Sequence, residues 1–121
     1  MVSIQTVTVV VPVHNAEATL SRQVSELLEV LSDWQSRFEI LIVDDASTDQ
    51  TLEYAQDLAR EYPQLRVLRH RRRQGRTASI RAGMRQSQGE VVFVHDDQSP
   101  LRAMPRPKST PRPLAIARSL T

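Results

Sequence analysis

Residues 39–51, EILIVDDASTDQT, limit what this chain can fold into more than any other stretch. Ile40, Leu41, Ile42 and Val43 form a short apolar run of the kind that makes a strand buried on both faces. The run breaks abruptly into two adjacent carboxylates, Asp44 and Asp45, which therefore belong at the strand's carboxyl end. Ser47, Thr48 and Asp49 carry helix N-cap chemistry, and Gln50, three residues after Ser47, completes a capping-box pattern, so a helix is expected almost at once. In open α/β sheets ligands bind in the crevice outside the carboxyl ends of the strands. Asp44 and Asp45 are placed to face such a crevice.

The rest of the chain repeats this strand-then-helix grammar. Residues 6–13, TVTVVVPV, read as a first strand whose end is marked by Pro12, which cannot donate to a sheet ladder. Asn15 is the expected N-cap of the next helix, with Glu17 at the positive end of its dipole. Leu20, Val24, Leu27, Leu28 and Leu31 then follow one helical face, and Trp34 and Phe38 lie in the connection that follows. A second helix carries Leu52, Ala55, Leu58, Ala59 and Tyr62 and is stopped by Pro63. Leu65 to Leu68 is a third strand, and the basic run Arg69 to Arg73 leads through Gln74 and Gly75 into a third helix over about 77–87. Ile80 and Met84 would pack that helix, with Gly89 as a left-handed C-cap. Val91 to Val94 form a fourth strand that again ends in acids, Asp96 and Asp97. Alternating strands and helices joined by short loops imply right-handed crossovers and an α/β fold: a three-layer α/β/α, Rossmann-like parallel sheet.

With 121 residues the chain holds at most one domain. The absence of cysteine excludes disulfides, thiolate metal sites and a cysteine nucleophile. No apolar run reaches membrane-spanning length and no signal-type segment opens the chain, so a cytoplasmic protein is expected. The net charge of +2 is unevenly distributed, with positive charge gathering after Arg66. From Ser99 to Thr121 there is no acid and no aromatic residue, and prolines alternate with Arg and Lys, so residues 99–121 are expected to be a flexible tail.

Paired carboxylates at two strand ends on one sheet edge can accept hydrogen bonds from base or ribose groups. They can also hold a hard divalent cation, Mg²⁺ or Mn²⁺, that neutralises a diphosphate. The basic run and the third helix N-terminus could add positive potential for the same anion. Together these features indicate a nucleotide site, with no nucleic acid as partner, because the basic segments lack interleaved aromatics and a recognisable binding module. His14 reads as a polar group at the rim of the site, His95 as a hydrogen-bonded strand-end histidine and the arginine run as a solvated loop.

Three segments resemble family 2 glycosyltransferases. VTVVVPVHNAEATL is similar to their opening motif, EILIVDDASTDQT to their nucleotide-binding strand and turn, and GEVVFVHDDQ to the strand ending in their DXD-type metal motif. They occur in that family's order and at its spacing, over about residues 6–98. The resemblance implies a GT-A fold whose N-terminal part, residues 1–98, binds a nucleotide-diphosphate sugar, most simply a UDP-sugar. Pro12 would edge the base pocket with His14 near it, Asp44 or Asp45 would accept the uracil N3–H, and Asp96 would lie near ribose or metal. Asp97, with Asp96, would hold Mn²⁺ or Mg²⁺. His14 stands where the family commonly has tyrosine, and Ala16 where it often has glutamate. The metal motif can be framed as His95-Asp96-Asp97 or as Asp96-Asp97-Gln98, and the first frame suits a metal better. The resemblance leaves the acceptor unknown, and the protein would be cytoplasmic or peripheral to a membrane. The family's acceptor half should follow the metal motif, whereas the Pro-Arg-Ser-Thr-Leu-Ala sequence here is of the type produced when a GC-rich gene is read out of frame. The alternative expectation is therefore a truncated or frameshifted, inactive nucleotide-binding remnant, whose exposed sheet edge could mediate association.

Overall fold

In a computed structural model, residues 6–33 and 37–95 are described. Trp34, Asp96, Asp97 and the segment 99–121 lie outside the described residues. The elements are β1 (Thr6–Val13), α1 (Leu20–Ser32), β2 (Arg37–Asp45), α2 (Thr51–Glu61), β3 (Leu65–His70), α3 (Arg76–Gln86) and β4 (Val91–Val94). The four strands form one parallel sheet in the order β3-β2-β1-β4.

Strand alternation sorts the apolar residues onto two faces. On one face Val7, Val9, Val11, Val13, Ile40, Ile42 and Leu65 pack with Leu20, Val24, Leu27 and Leu31 of α1 and Ala55 of α2. Each large side chain buried there contributes on the order of 1.5–3 kcal/mol. On the other face Val10, Leu41 and Val43 pack with the half-buried Leu68 and Val92. There α3 lies directly on the sheet, because Gly83 has no side chain: a Cβ at that position would come within 2.5 Å of Val10 Cγ1.

The chain steps from β1 to β2 to β3 in one direction, then returns to place β4 on the far side of β1. With right-handed crossovers, reversing direction moves the connecting helix to the opposite face. That is where α3 packs, so the molecule is a three-layer α/β/α sandwich as expected. The reversal also creates a topological switch point beside the carboxyl end of β1.

At the opposite end of the sheet a polar network holds the α3–β4 connection. Glu39 accepts hydrogen bonds from the Thr8 hydroxyl (2.6 Å), Arg66 Nε (3.0 Å) and the Gln88 amide (2.8 Å). The Gly89 amide donates to Thr8 Oγ1 at 2.8 Å. Burial pushes the Glu39 carboxyl up, but these donors outweigh it and hold it below the usual carboxylate range. Gly89 does not adopt the left-handed C-cap conformation expected of it. It is glycine because a Cβ would sit 2.5 Å from the Thr8 backbone nitrogen.

Helix starts also differ from expectation. The N-cap of α1 is Thr19 and that of α2 is Gln50, and neither makes a side-chain cap hydrogen bond. Asn15 and Ser47, the capping residues expected from sequence, are used elsewhere.

Candidate active site

At the carboxyl edge of the sheet the β1–α1 and β2–α2 loops are laced together. The Asn15 side-chain oxygen accepts the Thr48 amide at 2.8 Å, and the Asn15 amide donates to Ser47 Oγ at 2.8 Å. The Ala16 amide donates to Thr51 Oγ1 at 2.7 Å. Asp49 accepts the Thr51 amide at 2.9 Å and so starts α2 in place of a capping box. Two backbones bend sharply here: Asn15 and Ala46 have φ of 52° and 57°, in the left-handed region. Asparagine tolerates it, whereas alanine pays roughly 1–2 kcal/mol for its Cβ.

The two adjacent carboxylates part company. Asp44 is buried and turned back on its own turn, accepting from the Ser47 hydroxyl at 2.5 Å and the Ser47 amide at 3.4 Å. Asp45, on the α3 side, faces the β3–α3 loop. Its Oδ1 accepts from His70 Nδ1 (2.9 Å) and the Gln74 amide (2.9 Å), and its Oδ2 from the Gly75 amide (2.8 Å) and Arg73 Nε (3.2 Å). An ionised carboxylate has about four acceptor sites, and here all are taken. Burial pushes the Asp45 carboxyl up, but the His70, Gln74, Gly75 and Arg73 donors more than offset it and bring it down to about 2. Gly75 has φ of 100°, a conformation open to glycine alone, and it turns its amide onto Asp45 at the head of α3.

His14 Nδ1 donates to the Asp45 backbone carbonyl at 2.8 Å, which ties the end of β1 to that of β2. Pro12 is half-buried, on the same side of the sheet as Asp45 by strand alternation, and past the last β1–β4 pair, Val10 with Val94. Pro12, His14 and Asp45 are thus gathered beside the switch point, while Asp44 points to the α1–α2 side. Among the described residues no three His, Asp or Glu side chains converge in a metal-binding group. Asp44 and Asp45 are committed to hydrogen bonds, so neither is set up as a metal ligand.

A family model described as "Glycosyl transferase family 2" matches residues 8–98. The chain belongs to glycosyl transferase family 2. Among its curated relatives, a dolichyl-phosphate beta-glucosyltransferase, ALG5A of Trichomonas vaginalis, is 35% identical over 92 residues, covering 72% of this chain and 28% of the relative. Two solved structures are similar in fold and sequence. TarS 1–349 of S. aureus, in complex with UDP-GlcNAc, has a TM-score of 0.60 at 29% identity, covering 76% of this chain and 26% of TarS 1–349. The mannosyltransferase PcManGT of Pyrobaculum calidifontis, in complex with GDP-Man and Mn²⁺, has a TM-score of 0.57 at 28% identity, covering 75% and 28% of the two chains. The chain thus spans little more than a quarter of the length of these glycosyltransferases.

Within this family 2 chain, sequence reasoning missed His70, Arg73, Gln74 and Gly75 as partners of Asp45. The arginines of the run are exposed, as expected of a solvated loop, and Arg73 among them also reaches the crevice acid. A signal was present: glycine directly before a helix start, opposite a strand-end acid, marks amides free to turn inward. The assigned metal residues, Asp96 and Asp97, fall outside the described residues.

Proposed function

We propose that residues 1–98 form the nucleotide-sugar-binding part of a family 2 glycosyltransferase, taking a nucleotide-diphosphate sugar, in the first instance a UDP-sugar, at the carboxyl edge of the sheet. The observation that carries this reading is the gathering of Pro12, His14 and the Asp45 carboxylate beside the switch point between β1 and β4. Asp45, rather than Asp44, is the group we assign to the base. Its two amide donors are fixed by the backbone, but Arg73 is a side chain 60% exposed, and a uracil N3–H can replace it on Oδ2. Asp44 is spent on its own turn.

Asp97 with Asp96 would hold Mn²⁺ or Mg²⁺, which when bound neutralises the diphosphate as it leaves. The chain's own part is to seat the base against Pro12, orient it by one hydrogen bond, and surround the phosphates with arginines of the β3–α3 loop. Sugar passes to an acceptor whose class we take from the dolichyl-phosphate relative: a polyprenyl phosphate.

Calorimetric titration with UDP, with and without Mn²⁺, tests the donor site. The wild type should bind in a metal-dependent manner, and Asp97→Ala should lose that dependence. A folded chain that binds neither UDP nor GDP would overturn the assignment.

A further inference from the structure

Charge is divided between the two helical layers. The α1–α2 layer carries Glu26, Glu29, Glu53, Asp57 and Glu61, and its two helix arginines are ion-paired, Arg22 with Glu26 and Arg60 with Asp57. From Arg66 to Gly89 there are eight arginines and no acid. Six of them, Arg71, Arg72, Arg73, Arg76, Arg81 and Arg85, are exposed on the β3–α3 loop and on α3, and setting aside Arg73, which bonds to Asp45, leaves five.

Their placement is unfavourable for the isolated protein. Arg81 and Arg85 are like charges one turn apart, opposite the buried Ser79 and Gly83, and neither has an ion-pair partner among the described residues. Arg76 lies in the first turn of α3, where the helix dipole opposes a cation. An external anionic surface would offset the repulsion between Arg81 and Arg85. The patch has no stacking platform, since the exposed large hydrophobic among the described residues, Tyr54, sits on α2 in the other layer. That favours a lipid headgroup surface over single-stranded nucleic acid, which needs exposed rings. Five basic residues also fall within the cluster size that holds a protein on an anionic bilayer.

We infer that the α3 layer is a docking face for an anionic lipid bilayer, laid flat by Arg76, Arg81 and Arg85, with Arg71 and Arg72 bringing the crevice to the headgroups. This deepens, and rests on, the proposal of a membrane-held polyprenyl phosphate as acceptor. The crevice and the loop arginines share one end of the molecule, so a face-down α3 layer presents the donor sugar at the bilayer surface.

The test is flotation of the whole chain with vesicles of phosphatidylcholine, with and without phosphatidylglycerol, for the wild type and for R81Q/R85Q. Glutamine is a good helix former at exposed positions, so the fold should be kept, as circular dichroism would verify. Binding should require phosphatidylglycerol, weaken with salt, and fall about thirtyfold in the double variant, as expected for two basic residues withdrawn from an anionic surface. UDP affinity should not change. Absence of binding to anionic vesicles, or equal binding by R81Q/R85Q, would overturn the proposal. So would tighter, arginine-dependent binding to RNA than to vesicles, which would reassign the face. The vesicles contain no polyprenyl phosphate, so failure here is separable from failure of transfer to a short-chain polyprenyl phosphate in solution.

Discussion

Asp45 carries the most chemistry of any single residue described. Its carboxyl is held at about 2, against an ordinary value of 3.8, by two backbone amides and two side chains of the β3–α3 loop. A depressed carboxylate adds stability above its unfolded-state value and loses it as pH falls through the folded-state value. Asp45 should therefore contribute about 2 kcal/mol near neutrality, a contribution that declines below about pH 4 and is gone below about pH 2. Urea unfolding at a series of pH values should show this loss in the wild type, and Asp45→Asn should flatten that part of the profile. An unchanged profile would mean that the loop is not clamped. The divergence of Asp44 and Asp45 was within reach of sequence reasoning, because neighbouring residues in a strand point to opposite faces. Which of the two met the arginine loop was not, because that depends on which face α3 covers.

Among the elements, the strands and the α1 stripe were legible because their apolar periodicity agrees with their burial. Leu20, Val24, Leu27 and Leu31 are all buried, and Ile40 to Val43 are buried on both faces. The caps were not legible. Asn15 and Ser47 have good capping chemistry, but each gains more by bridging to the neighbouring loop, a contact between residues 32 or 33 positions apart that no local pattern encodes. Gly89 was misread for the same reason: its requirement is space beside Thr8, not a left-handed turn. The element with the widest reach is the start of β2, where Glu39 joins β1, β3 and the α3–β4 connection. Glu39→Ala would leave the Gln88 amide and the Thr8 hydroxyl without this acceptor and Arg66 without its carboxylate, so it should destabilise by about 3 kcal/mol. Amide exchange at Gln88 and Gly89 should quicken with it. Slow exchange at both in the variant would show that the connection is held by other means.

At the scale of the molecule, the two ends of the sheet do different work. The amino end is fixed by the Glu39 network, which sets where β4 begins, while the carboxyl end is built of loops that hydrogen-bond to one another around an acid. The three-layer architecture followed from the order of strands and helices, and the position of the switch point from the reversal that the fourth strand makes. Among the described residues no helix is long and apolar enough to cross a membrane. Binding of nucleotide at the carboxyl edge should be visible in amide NMR shifts on addition of UDP and Mg²⁺. The shifts should centre on Val13, His14, Asp45, Gln74 and Gly75, with Gln88 and Gly89 unmoved. Shifts centred on the Thr8–Glu39 edge, or none at saturating UDP and Mg²⁺, would contradict it.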